Sequence, residues 1–151
     1  MRIEEELKTK AFVSENQKAQ LNIMFTAGWV RCAISAALKN YGVTPEQYNV
    51  LRILRGSHPQ AICLKDITCR MVDRNSNTSR IVDKLADKGW AVRETSASDR
   101  REVQIALTDK GSDLLAQIEK QYGADKMMHS SGLSSAEAET LNHLLDKLRS
   151  A

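Results

Sequence analysis

Residues 76–108 read SNTSRIVDKLADKGWAVRETSASDRREVQIALT, and this stretch decides the fold. Ser76, or Asn75 before it, can cap a helix by accepting from the free amides of the first turn. Ile81, Val82 and Leu85 follow at helical spacing, and Gly89 stops the helix because glycine enters the left-handed region at little cost. The outward face then carries Asn77, Thr78, Arg80 and Lys84. Beyond Gly89 the period falls to two: Val103, Ile105 and Leu107 alternate with Glu102, Gln104 and Ala106, as in a half-buried strand. Between the arms, residues 95–101 (TSASDRR) are rich in turn formers and too polar for a core. The stretch predicts a capped helix followed by a hairpin with a cationic tip.

Working outward, Thr44-Pro45-Glu46-Gln47 is the clearest helix start in the chain. Thr44 caps, Pro45 loses no needed amide in the first turn, and Gln47 can close a capping box. Tyr48, Leu51 and Leu54 give that helix a core face, and Gly56-Ser-His-Pro59 stops it. Residues 62–71 (ICLKDITCRM) predict a short helix with Leu64, Ile67 and Met71 inward, and residues 72–75 form a turn into the helix from Ser76. Two short helices joined so tightly make a helix-turn-helix, the second being the reader.

The flanks are helical too. From about Glu15 to Asn40, one stripe holds Leu21, Phe25, Trp29, Cys32 and Ala36, and a second holds Ile23, Ala27, Val30, Ile34 and Leu38. Two stripes make a broader apolar face than one neighbour requires. Either a partner subunit or the domain's own helices must cover them. Residues 1–14 are polar and predict a frayed end, or one that is helical only on dimerisation. Thr108 caps a further helix carrying Leu114, Leu115, Ile118 and Tyr122, which Ser130-Ser-Gly132 breaks. Ser134 or Ser135 opens the last one, with Leu141, Leu144, Leu145 and Leu148 on one stripe. Such exposed terminal leucines need a partner, most simply a second copy.

Composition bounds the function. The 151 residues are 42% apolar and 27% charged, ordinary for one domain with helical extensions. No apolar run approaches the ~20 residues that span a bilayer, and the first ten residues lack a secretory segment, so no membrane partner and a cytoplasmic location are expected. The net charge is +3. Residues 44–110 hold 12 Lys/Arg against 9 Asp/Glu, and the remainder is balanced at 10 of each, so the whole excess lies in the helix-turn-helix block. Cys32, Cys63 and Cys69 form no CxxC pair, and with His58, His129 and His143 they show no zinc spacing. Buried, reduced thiols are the plain expectation, with no metal and no cofactor. No phosphate-cradling glycine loop or nucleophile–base pattern points to an enzyme.

Ser79-Arg-Ile-Val-Asp-Lys-Leu85, then Lys88-Gly89, Arg93, Asp99-Arg-Arg101, and Leu107-Thr108 with Gly111, resemble the winged helix-turn-helix core of MarR-type transcriptional regulators. The resemblance implies a mainly α fold with a small β-hairpin wing. It places an N-terminal dimerisation helix at 1–42, a DNA-binding lobe at 43–108 and C-terminal dimerisation helices at 109–151. It also implies a homodimer on double-stranded DNA, a repressor or activator relieved by a small ligand or by oxidation. Such a dimer would read a pseudo-palindrome with half-sites roughly one helical turn apart.

Site residues follow from what each groove offers. Arg pairs with guanine, Asn with adenine, and Ser and Thr with bases or phosphates. Ser76, Asn77, Thr78 and Arg80 occupy the turn that enters a major groove, although the same residue types are also ordinary caps. The resemblance adds Ser79 at a hydroxyl position and supports Arg80 at a basic one; Lys84 shares their face. At the tip, Asp99 can hold the Arg101 guanidinium in a fixed pose, and a narrow minor groove attracts an inserted Arg. The resemblance gives Asp99 and Arg101 these roles and sets Arg100 nearer the phosphates. The alternative is a surface ion pair.

In the family, effectors bind in a crevice between the dimerisation helices and the lobe. Trp29, Cys32, Tyr48 and His58 are the candidates to line it, aromatics with a few polar groups suiting small organic anions, and a small aromatic or phenolic effector is the expected partner. Each also fits plain core or surface. Two other readings share the scaffold: a thiol-based oxidant sensor, and a winged-helix protein-interaction module without DNA binding. Cys32 departs from the near-N-terminal cysteine of the peroxide-sensing members.

Overall fold

A computed structural model describes residues 1–9, 11–95, 103–123 and 132–150. In chain order the elements are α1 (Ile3–Glu6), α2 (Glu15–Leu38) with a 3-10 turn at Lys39–Tyr41, α3 (Pro45–Ser57), β1 (Ile62–Cys63), α4 (Leu64–Arg70), α5 (Thr78–Asp87), β2 (Ala91–Thr95), β3 (Val103–Leu107), α6 (Asp109–Tyr122) and α7 (Ser135–Arg149). The fold is mainly helical with one small antiparallel sheet, a winged helix-turn-helix as the sequence predicts.

Local caps fix the helix starts. Ser14 Oγ accepts from Gln17 N at 3.1 Å, and Thr44 and Gln47 close a reciprocal capping box at 3.2 Å. Thr108 Oγ1 accepts from Gly111 N at 3.1 Å, and Ser134 makes a box with Glu137. α2 runs out through its 3-10 turn to Gly42, which sits at φ +64° and turns the chain toward Thr44.

The core is the space enclosed by α3, α4, α5, α6 and the sheet. Leu51, Leu54, Ile67, Val82, Leu85, Ile105, Leu115 and Ile118 are all essentially inaccessible. From α2 only its last turns join them, with Leu38 buried and Ile34 packed alongside. Upstream, Met24, Phe25 and Trp29 stand exposed, as do Leu141, Leu144 and Leu148 on α7.

Several expectations need correction. The hairpin is a three-stranded sheet of order β1-β3-β2, because Ile62 and Cys63 pair with Ile105 and Gln104 instead of opening a helix. Two residues are too few to show a period. α6 stops at Tyr122, where Gly123 takes φ +68°, and not at Ser130-Ser-Gly132; residues 130 and 131 lie outside the described residues. The N-terminal segment forms a turn of helix whose Ile3 is buried. Residues 15–41 also make a helix long and apolar enough, by length and composition alone, to cross a membrane. Arg31 interrupts its apolar stretch, and the same composition suits a helix packed between protein surfaces. Its Arg31 is ion-paired to Glu46 of α3.

Candidate nucleic-acid interface

α5 begins later than the sequence predicts. Its cap is Asn77, whose Oδ1 accepts from Arg80 N at 3.1 Å, in place of Ser76 or Asn75. Three adjacent polar residues all satisfy the capping rule, and the turn before them decides. Asp73 accepts from Asn75 N at 3.0 Å through its side chain and from Ser76 N at 3.2 Å through its carbonyl. Asn49 of α3 accepts from Val72 N at 2.9 Å. The turn is thus held internally and from α3, which carries the chain past Ser76 before helical geometry starts.

This start sets what α5 presents. Asn77, Ser79, Arg80 and Lys84 are exposed, and Ser76 is half-buried at their edge. Thr78 corrects the expected outward face: it is 5% exposed, with its hydroxyl turned toward Ser76 O at 3.5 Å. Its methyl-bearing side chain lies one helical turn from buried Val82, on the core stripe. The exposed polar edge of α5 therefore consists of Asn77, Ser79, Arg80 and Lys84.

Arg93 on β2 ties this helix to the wing, a role the family pattern did not reveal. Its guanidinium reaches Asp83 Oδ1 at 2.5 Å and Ser79 O and Oγ at 3.4 and 3.5 Å. The root of the wing is clasped as well. Thr108 Oγ1 donates to Gly89 O at 2.7 Å, Thr108 N to Trp90 O at 3.3 Å, and Lys110 Nζ to Lys88 O at 2.8 Å. Gly111 closes against this clasp: a Cβ there would stand 2.1 Å from Trp90 O. Both arms of the hairpin thus start from one fixed point beside α5. Asp99, Arg100 and Arg101 lie outside the described residues.

The four effector candidates are not brought together. Trp29 lines a cavity of about 310 Å³ with Ile3 and Phe25, whereas Cys32 lines another of about 500 Å³ with Lys39, Val43 and Thr44. Tyr48 packs against the core and its hydroxyl accepts from Arg52 Nη1 at 3.1 Å. His58 is exposed just past α3. Cys32 and Cys69 are exposed and only Cys63 is half-buried, which corrects the expectation of buried thiols. Among the described residues no three His, Cys, Asp or Glu side chains converge as a metal site would require.

α6 is joined to the lobe by Arg55, which donates to both Glu119 carboxylate oxygens, one bond being 2.8 Å. The hydrogen bond from Arg55 lowers the Glu119 pKa from its ordinary value against partial desolvation, with Arg55 and Arg52 adding their charge.

The MarR family matches residues 43–103, the segment containing the helix-turn-helix and the wing. The uncharacterized HTH-type transcriptional regulator YkoM of Bacillus subtilis is 35% identical over 109 residues, 72% of this chain and 70% of that protein. The chain belongs to the MarR family. The transcriptional repressor MprA of Escherichia coli is 29% identical over 75% of this MarR-family chain and 64% of its own, so the match spans just under two thirds of that relative. A cysteine-to-serine mutant of E. coli MarR, solved with operator DNA, superposes with a TM-score of 0.79 at 24% identity, over 92% of this chain and 99% of that one.

Proposed function

We propose that the protein is a homodimeric repressor that reads a pseudo-palindromic DNA operator in the cytoplasm. The exposed edge of Asn77, Ser79, Arg80 and Lys84, on a capped helix locked to the strand that leads into the wing, carries this reading. Asn and Arg at that edge address bases, and Ser and Lys address phosphates. As the family resemblance implies, Arg101 enters the adjacent minor groove with Asp99 to orient it, and Arg100 serves the phosphates. The repressor role is supported by MprA, and operator binding by the MarR complex.

The dimer is formed by residues 1–42 and 109–151 around a reading lobe of 43–108. Trp29 at 50% exposure and Leu144 at 55% support it, since large apolar side chains on terminal helices call for a covering surface. A small aromatic or phenolic effector releases the operator, and the cavity between α2 and the start of α3, with Lys39 at its rim, has the size for one. No catalytic step and no cofactor enter this function.

Selection from a random duplex pool, followed by footprinting, tests the reading. The selected sequences are expected to be two-fold symmetric and protected across both halves. Arg101→Ala should weaken binding to all sequences and reduce the salt slope by about 1 for each guanidinium withdrawn from the minor groove. Protection of a single half-site, or equal binding by a monomer, would refute the dimeric reader.

A further inference from the structure

The turn before α5 is linked to α2, and the residue after α5 is linked to the turn that follows α2. At its N-terminal side, Arg31 of α2 pairs with Glu46 in the first turn of α3 and stands 3.9 Å from Asp73 Oδ2, in the turn that delivers Asn77. Asp73 is the residue that organises this turn through Asn75 N and Ser76 N. At the C-terminal side, Lys88 Nζ donates at 2.6 Å to the carbonyl of Gly42, where α2 hands the chain to the lobe. Arg31 is the only charged residue between Leu21 and Leu38, and its side chain is 61% exposed. Glu46 answers it. Partial burial pushes the Glu46 pKa up, but hydrogen bonds from its own backbone and Thr44, with the Arg31 charge, outweigh this and lower it.

We propose that Arg31 is a positioning residue that fixes the angle of the reading helix relative to α2, and thereby the half-site spacing the protein accepts. The inference rests on the dimeric reader proposed above. In that assembly α2 belongs to the shared body, and α5 is what must meet successive major grooves. A strut from α2 to the turn before Asn77 sets one end of α5, and Lys88 on Gly42 sets the other. Arg31 touches no base in this scheme. Its loss should change which spacings are tolerated, not which bases are read.

The test uses the full chain and duplexes that keep the selected half-sites while the spacer is shortened or lengthened by one and two base pairs. Wild type is expected to favour one spacing sharply. Arg31→Met and, separately, Asp73→Asn should each weaken binding at that spacing by about threefold to tenfold, as expected when an exposed ion pair is removed from both subunits. Both should flatten the spacing profile and leave base preference within each half-site unchanged. The double variant should weaken binding by less than the two single effects combined, because both remove the Arg31–Asp73 contact, and Arg31→Lys should recover part of the profile. A wild-type spacing preference that persists in Arg31→Met and Asp73→Asn would overturn the strut alone. A wild type indifferent to spacing would overturn the dimeric reader and the strut with it. An altered base preference in Arg31→Met would make Arg31 a contact residue and overturn its positioning role.

Discussion

Gly111→Ala is the sharpest test of the clasp beneath the wing. An added Cβ would lie 2.1 Å from Trp90 O, 2.8 Å from Leu107 Cδ1 and 3.1 Å from Trp90 C. Carbon contacts ordinarily settle at about 3.5–4 Å, so α6 and the Trp90 carbonyl must part by more than about 1 Å. Two of these three atoms are backbone and cannot swing aside. Overpacking of this kind costs about 1–3 kcal/mol. The displacement also strains the bonds from Thr108 to Trp90 O and Gly89 O, about 1 kcal/mol each. Alanine's better helix propensity returns about 1 kcal/mol. The net loss is about 2–4 kcal/mol, or roughly 5–15 °C in Tm for a chain of this size. Gly56 in α3 is the control, because a Cβ there meets nothing within 4 Å, and Gly56→Ala should be neutral or stabilising by up to ~1 kcal/mol. Urea and thermal unfolding of both variants, at one fixed protein concentration, decide the matter. Gly111→Ala unfolding within about 0.5 kcal/mol of wild type would refute the close approach of α6 to Trp90.

Two further outcomes follow from single side chains. Asn77→Asp should keep the cap, since Asp serves there as well as Asn, and hold stability within about 0.5 kcal/mol. It should weaken operator binding tenfold or more by setting a carboxylate against base and phosphate acceptors; unchanged anisotropy titrations would reduce Asn77 to a cap alone. Glu119→Gln should cost about 1 kcal/mol at neutral pH by removing the charge that pairs with Arg55. Because the folded pKa of Glu119 lies below its ordinary 4.5, that stability is present above 4.5 and fades as pH falls through the lowered folded value. The gap between wild type and Glu119→Gln should therefore close on acidification, and a gap constant from neutral to strongly acidic pH would contradict the pairing.

What the sequence disclosed was what its residues settle locally. Thr44-Pro45-Gln47, Thr108 and Ser134 each cap their own helix within three residues, and all stand where the pattern places them. The alternation of Val103, Ile105 and Leu107 likewise needs only its own strand. The losses came where distant groups decide. Ile62 and Cys63 become a strand only because β3 lies beside them. The choice of Asn77 over Ser76 depends on Asn49, 23 residues from the Val72 amide it accepts. Thr78 reads as a surface residue until the helix phase set by that choice turns it inward. Arg31 looks like an isolated charge on an apolar helix, its partner Glu46 being 15 residues away. Trp29, Cys32, Tyr48 and His58 share a side-chain chemistry, and chemistry alone does not say which way α2 and α3 face.

The order β1-β3-β2 makes the strand returning from the wing the middle of the sheet. Its pairing with β2 runs from Thr95–Val103 at the outer end to Ala91–Leu107 at the inner one, while Ile62 and Cys63 brace it from the other side. Anchorage and reach are consequently separate quantities in this architecture. The stem's attachment beside α5 belongs to the sheet and the Gly89–Thr108 clasp, whereas its reach is a matter of how many residues join Thr95 to Val103. Loops of other lengths or charges can be grafted between those two positions to retune one without disturbing the other.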